Sequence, residues 1–499
     1  MEGTNIFQRK AACIQGSGEA GAQAQHEAGK LTARERIAKL TDFGSFMELD
    51  ALAAGKDGSC GSVITGFATI DGRSVCVAAQ DFTVSGGAMS VSQAKKLQKL
   101  MGLASRNGTP FVTLVDTAGA RIEEGLNALN GYAGVLAAAS RMSGQVPQIT
   151  VVSGPCAGAA AVIAGLSDVT IAVNKIASLS VRTTPVISAV TGNAVREEEI
   201  AGAMAANAVS ANAQLYAESE EQAFALVRAV LGYLPSNCAE DPPIEVCADD
   251  LNRQTPRWNT YAQGQANIRE VIADLADRGS VLELMPYYAL NMITAFARIN
   301  GRSVAFIANN PTDRGGQLDA AAAGKAVRMI ALSDAYHIPV VTLVDTMGTV
   351  TCAEEETQGL ARQLSALGYA YGAATAPKIA LLCGAAIGTA YTLMGSKALG
   401  MDLVYAWPTA RVSALEPAAA AVILYEKEIA QAEDQVAARK EYTDKLLEEQ
   451  AGALAAAKEG LVDDVIEPSL TRPILAASLE LLWSKQDMLP VKKHGIPPM

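Results

Sequence analysis

At 499 residues the chain is too long for one ordinary core, and the length predicts two to four domains. Half of it is apolar and 18% is charged, a soluble globular balance. The net charge is −12 and no lysine- or arginine-rich run occurs, which argues against nucleic acid as a partner, because neutralising phosphates needs a basic face.

The N-terminal "MEGTNIFQRKAACIQGSGEAG" has no long apolar core, so no signal peptide is expected. No stretch approaches ~20 consecutive strongly apolar residues without charge, so no membrane span is expected either. The predicted location is the cytoplasm. "GSGEAG" (Gly16–Gly21) matches G-x-G-x-x-G, but no apolar strand precedes it. It reads as a flexible turn rather than a dinucleotide fingerprint. Further on, "IDGRSVCVAAQDFTVSGGAMS" (Ile70–Ser90) leads to "PFVTLVDTAGARIEEG" (Pro110–Gly125), an apolar strand ending in Asp-Thr. A helix follows, and then "QITVVSGPCAGAAAV" (Gln148–Val162), a second apolar strand running into a Gly/Ala-rich turn.

The chain then repeats itself. "INGRSVAFIANNPTDRGGQLD" (Ile299–Asp319) and "PVVTLVDTMG" (Pro339–Gly348) follow their counterparts at an offset of 229. "KIALLCGAAIGTAYT" (Lys378–Thr392) follows at 230. Order and spacing are both kept, so the chain reads as a duplication. Strands alternating with helices predict a mostly parallel sheet in an α/β layer fold. The boundary falls in the Pro-, Asp- and Asn-rich Ser236–Trp258, giving domains at 1–250 and 251–499. Tyr425–Gly460, rich in Ala, Glu, Lys and Gln, is expected to form one long exposed or interface helix.

Several motifs carry no chemistry. There is no G-x-x-x-x-G-K-[ST], no G-x-S-x-G and no H-E-x-x-H, and His26, His337 and His494 are the only histidines. Neither a metal cluster nor a histidine general base is expected. The eight scattered cysteines read as free buried thiols. Glu123–Glu124 and Glu354–Glu356 read as acidic first helical turns rather than catalytic carboxylates.

That leaves backbone chemistry. "SGPCAGAAA" (Ser153–Ala161) follows a buried strand and opens a helix, and "CGAAIGTAY" (Cys383–Tyr391) repeats its small-residue character. First-turn amides are unpaired donors in a positive partial field, and two of them aimed at one oxygen make an oxyanion hole. One reaction that needs two such holes and no histidine is carboxyl transfer between a thioester enolate and a urea.

The stretches "GKLTARERIAKLTDFGSFMELD", "QDFTVSGGAMS", "AGARIEEG", "VPQITVVSGPCAGAAA", "FARINGRSV", "YAWPTARVSALEP", "LVDDVIEPSLTRP" and "KKHGIPPM" span residue 29 to the end. Together they resemble the carboxyltransferase (β) subunit of biotin-dependent acyl-CoA carboxylases of the propionyl-CoA type. They equally resemble the α subunit of the sodium-pumping methylmalonyl-CoA and glutaconyl-CoA decarboxylases. The resemblance implies two tandem crotonase-like (ClpP/crotonase) domains, with acyl-CoA on the first and biotin on the second, in a trimer-based homohexamer. It implies catalytic amides at Gly158 and Ala159 for the enolate, and at Thr389 and Ala390 for biotin. It places Ala157, Gly119, Ala120, Arg121, Gly388 and Thr392 against substrate. Whether Arg121 or Arg182 meets CoA phosphates or merely covers a surface stays open. The chain lacks a Met-Lys dipeptide, so biotin is expected on a biotin carboxyl carrier protein. A biotin carboxylase subunit, or membrane decarboxylase subunits, would complete the complex, with no metal or ATP in this chain. The second turn departs from the family: Leu382-Cys383 stand in place of Arg-Lys, and Thr392 in place of a common Asp. A biotin-independent thioester decarboxylase and a non-catalytic scaffold subunit are the other readings.

Overall fold

The computed structural model describes residues 2–15, 17–53, 61–255, 260–261, 267–487 and 493–498. The chain divides into two units, Met1–Asp241 and Pro242–Met499. The division falls inside the Pro- and Asp-rich stretch expected to link the halves.

The first unit holds one eight-stranded sheet. Its strands are β1 (Met47–Leu49), β2 (Val63–Ile70), β3 (Arg73–Gln80), β4 (Phe111–Thr117), β5 (Gln148–Ala157), β6 (Val169–Val173), β7 (Ser178–Ser180) and β8 (Leu215–Ala217). They lie in the order β1-β2-β3-β4-β5-β6-β8, with β7 beside the end of β5. The second unit repeats the plan with β9 (Leu282–Leu284), β10 (Met292–Ile299), β11 (Arg302–Asn309), β12 (Val340–Thr346), β13 (Lys378–Ile387), β14 (Leu403–Ala406), β15 (Arg411–Ser413) and β16 (Asp464–Val465). There the order is β9-β10-β11-β12-β13-β14-β16, with β15 beside the end of β13.

Local chemistry explains both sheets. Asp71-Gly72 and Asn300-Gly301 all have φ between 50° and 78°, the two-residue turn that closes the antiparallel pairs β2–β3 and β10–β11. From β3 and from β11 onward the pairing is parallel. Parallel strands are covered on both faces, which is why β4 and β12 are continuous apolar runs. In the first unit, helices Val91–Asn107 and Leu126–Met142 pack on one face through Leu97, Leu100, Tyr132 and Val135. Helices Ala33–Leu40 and Glu220–Tyr233 cover the other. Ala33–Leu40 opens with a capping box, Thr32 and Glu35 each binding the other's backbone amide.

Three local expectations are corrected. The segment 425–460 is three helices, Glu426–Gln431, Gln435–Gln450 and Ala453–Lys458. Asp434 accepts the Val436 and Ala437 amides and starts a new helix there. Gly18–Gly21 belong to helix Gly18–Glu27 and are not a loose turn. The cysteines differ among themselves: Cys76, Cys156 and Cys383 are free and buried, Cys238 and Cys352 are free and exposed, and Cys13 is disulfide-bonded. No helix among the described residues is long and apolar enough to cross a membrane.

Candidate functional site

Each half builds its turn from two loops. In the first, β5 ends at Ala157 and the chain reverses at Gly158, with φ 66° and ψ −129°. That region suits glycine alone, and a Cβ built there meets nothing within 4 Å, so the turn is open. Helix Ala159–Gly165 starts at once. The loop after β4 crosses beside it: Gly119, at φ 110°, lies where a Cβ would be 3.5 Å from the Ala157 carbonyl. Thr117 Oγ1 accepts the Gly119 N–H at 3.0 Å, and the Gly119 carbonyl accepts Met89 N–H at 3.0 Å. Gly119, Ala157, Gly158 and Ala159 are thus brought together, with Ala120 and Arg121 continuing the same loop. Arg121 donates to Ser85 Oγ at 2.9 Å.

The second half repeats the geometry. Gly388 has φ 59° and opens helix Gly388–Met394. Gly348, at φ 111°, lies where a Cβ would be 3.7 Å from the Ile387 carbonyl. Thr346 Oγ1 accepts the Gly348 N–H at 3.1 Å. The register of the duplication sets Gly388 against Gly158 and Thr389 against Ala159. The expected pair Thr389 and Ala390 therefore sits one residue further along than Gly158 and Ala159. Thr392 is exposed and its hydroxyl donates to the Gly388 carbonyl at 3.4 Å. The position of Arg121 is taken by Val350, which is 9% exposed.

The Gly158 N–H donates to the Ser180 carbonyl at 2.9 Å, joining the turn to the end of β7. Ala159 is the first residue whose amide opens the helix, and such an amide has no intrahelical acceptor.

Behind each turn lies a buried carboxylate at the end of the Asp-Thr strand, and sequence reasoning gave it no role. Asp116 is fully buried. It accepts from Lys30 Nζ at 3.0 and 3.1 Å, Arg36 Nη1 at 2.9 Å and Gln25 Nε2 at 3.2 Å. Arg36 also binds Glu220 Oε1 at 2.5 Å and the Ser153 carbonyl at 2.8 Å. Asp345 instead accepts from the Tyr261 hydroxyl and the Ala385 N–H, each at 2.8 Å. Burial raises its pKa above the usual carboxylate range, and burial likewise pushes up Tyr261 and Cys383. The signal available was the repeated Asp-Thr together with two glycines, Gly154 and Gly384. A Cβ on Gly154 would stand 2.0 Å from Asp116 Oδ1, and one on Gly384 2.2 Å from Asp345 Cγ. Gly384→Ala is accordingly expected to lower stability by about 1–3 kcal/mol, the cost of overpacking a filled site. A melting midpoint equal to wild type at the same protein concentration would refute the close approach.

Glu123 and Glu124 lie in the short turn Ile122–Glu124, and Glu354–Glu356 form the first turn of helix Ala353–Gln358. Glu124 accepts the Val91 amide at 2.7 Å and Glu355 the Ala320 amide at 3.4 Å, each at the start of a long helix. His26 pairs with Glu35 at 2.9 Å, and His494 bonds the Gly495 carbonyl. Among the described residues, no group of three or more His, Cys, Asp or Glu is arranged to hold a metal.

A family model described as carboxyl transferase domain matches residues 24–497. The methylmalonyl-CoA decarboxylase α subunit of Propionigenium modestum is 39% identical, over 99% of this chain and 98% of that one. The propionyl-CoA carboxylase β chain of Saccharopolyspora erythraea is 38% identical, over 99% and 95%. Among solved structures, the hexameric transcarboxylase 12S with methylmalonyl-coenzyme A and methylmalonic acid bound superposes with a TM-score of 0.96. It is 36% identical and covers 99% of this chain and 98% of that one.

Proposed function

The chain belongs to the carboxyl transferase family, and from that premise we propose how its two crotonase-like halves divide a carboxyl transfer between biotin and a short acyl-CoA. The observation that carries the division is the pair of left-handed glycines, Gly158 and Gly388, each crossed by a second glycine loop. The open space at Gly158 supports an oxygen seated there, and the second turn is the tighter of the two. A Cβ at Gly158 meets nothing within 4 Å, and one at Gly388 meets only the Ala414 carbonyl at 3.3 Å.

Biotin, on a carrier protein, supplies or takes up the carboxyl group. This chain's part is to hold oxygens. In the first half the Ala159 amide, with Gly158 beside it, receives the thioester oxygen as the acyl-CoA becomes an enolate. The Gly158 N–H joins only by sharing or exchanging its bond to Ser180. In the second half the Thr389 and Ala390 amides receive the ureido oxygen, with Gly388 giving room. Neither role needs a side chain, which fits the absence of histidine from both turns. Ala157, Gly119, Ala120 and Arg121 flank the acyl-CoA, and Thr392 borders the second turn. Preorganised donors of this kind stabilise charge where it develops.

We place propionyl-CoA and methylmalonyl-CoA first as substrates, because relatives named for both match over nearly the whole chain. The direction of transfer follows the partner subunits: a biotin carboxylase drives carboxylation, and membrane decarboxylase subunits drive the reverse. The assembly proposed is the trimer-based hexamer, in the cytoplasm or beside such a membrane complex.

The test is decarboxylation by the purified chain with free biotin and, separately, methylmalonyl-CoA or malonyl-CoA. Loss of the acyl carboxylate that depends on biotin is expected, faster with methylmalonyl-CoA. Absence of turnover with free biotin and also with a biotinylated carrier would overturn the reading in favour of a scaffold subunit. Turnover indifferent to biotin would make the chain a simple thioester decarboxylase.

A further inference from the structure

The two halves bury the same carboxylate and satisfy it in different ways. In the first half the residue after Gly154 is Pro155, which has no N–H to offer. Asp116 is instead met by Lys30, Arg36 and Gln25, and the same Arg36 fixes the turn by binding the Ser153 carbonyl. In the second half the matching residue is Ala385, and its N–H reaches Asp345 Oδ1 at 2.8 Å. Aligning Gly44-Ser45 with Gly279-Ser280 sets Val271, an apolar core residue, at the place of Arg36. Among the described residues no salt bridge reaches Asp345. Tyr261, 4% exposed and packed edge-on against Trp407 with ring centroids 5.7 Å apart, donates to its other oxygen at 2.8 Å. Trp407 is itself held by its Nε1–H bond to Thr471 at 2.9 Å.

We propose that Asp345 is a positioning residue for the second turn, holding Gly384–Ala385 from behind as a hydrogen-bonded acceptor anchored by Tyr261. It sets the course of β13 into Gly388 and Thr389, three and four residues beyond the Ala385 amide that it receives. Asp116 does the same for the first turn as the centre of an ion-paired cage. This rests on the reading of Gly388–Ala390 as a working turn. The arrangement makes the two positions chemically distinct. An amide serves at 345, because Asn Oδ1 accepts the Ala385 N–H and its Nδ2 donates to the Tyr261 oxygen, whose own O–H turns to the neighbouring Cys383 sulfur. No neutral group serves at 116, where two cations are buried.

The experiment compares Asp345→Asn, Asp345→Ala and Tyr261→Phe in the full chain. Three readouts are taken: kcat and KM for biotin in decarboxylation, acyl-CoA affinity, and hydrogen exchange of peptides covering 383–392 and 153–162. Asp345→Ala is expected to lower kcat by roughly a hundredfold, the loss that a small misplacement of a catalytic donor produces. Tyr261→Phe is expected to lower it by about tenfold on the same grounds. Asp345→Asn is expected to stay within about threefold of wild type, as the geometry is kept. Acyl-CoA affinity and exchange over 153–162 are expected to hold in all three. Exchange over 383–392 quickens in Asp345→Ala and Tyr261→Phe only. Unchanged exchange there in Asp345→Ala would overturn the proposal. So would a parallel fall in acyl-CoA affinity, which marks general destabilisation. If Asp345→Ala does not fold, Tyr261→Phe decides by the same readouts. If the wild type shows no biotin-dependent turnover, the proposed function has failed, and the exchange comparison still decides whether Asp345 holds the turn.

Discussion

Asp116→Asn is expected to destabilise the first half by about 3–5 kcal/mol, the cost of leaving buried charge without its partner. Lys30 and Arg36 both point at this carboxylate, and the Lys30 and Arg36 side chains are 9% and 0% exposed. Glu220 neutralises only one of them, through Arg36. An asparagine keeps the volume but supplies a single neutral acceptor and adds two donors facing two cations. Lys30 Nζ also sits 4.2 Å from the centroid of the Phe82 ring, which softens the loss without replacing an anion. The measurement is denaturant unfolding of the full chain, with Asp345→Asn as the matched control. The control is expected to change by less than about 1 kcal/mol, since burial already disfavours the Asp345 charge. Equal losses in the two variants would show that the cage around Asp116 does not depend on its charge.

Ala159→Pro is expected to lower turnover by about a hundredfold to a thousandfold, the effect of deleting one oxyanion donor. Proline fits this position. Ala159 is the first helical residue, where proline is tolerated, and its side chain is exposed. The helix should form, and only the N–H is lost. Gly158→Pro would be a poorer test: with φ at 66°, proline breaks the turn itself. Acyl-CoA binding is expected to survive, because the ground-state carbonyl needs the donor less than the enolate does. Undiminished turnover in a folded Ala159→Pro oligomer would remove Ala159 from the mechanism.

Much of the architecture was legible because duplication wrote it twice. Matching offsets of 229 and 230 gave both halves one succession of strands and helices along the chain before any pairing was known. The Asp-Gly pair at 71–72 and the Asn-Gly pair at 300–301 carried hairpin signals that went unread inside the repeats. The turns at Gly158 and Gly388 were legible as small-residue helix starts. The bond from Gly158 to Ser180 was not, since it joins a turn to a short strand 22 residues on whose pairing is set by tertiary packing. The roles of Asp116 and Asp345 were hidden for another reason. A strand-end Asp looks the same whether it faces solvent, a cation or a phenol, and the partners lie 80 to 91 residues away in one half and 40 and 84 in the other. The segment 425–460 misled because its composition favours helix throughout, while a single Asp434 restarts it.

Pro155 and Ala385 give the duplication a history that cannot be run backward one step at a time. A proline at 385 would orphan an Asp345 oxygen, because no arginine stands at 271 to take it. An arginine at 271 would put a charge among the buried apolar side chains around Val271. Each residue is acceptable only in the company its own half has assembled. The copies have become mutually entrenched, and a chimera that swaps this corner between them must move strand end, turn and flanking helix as one inheritance.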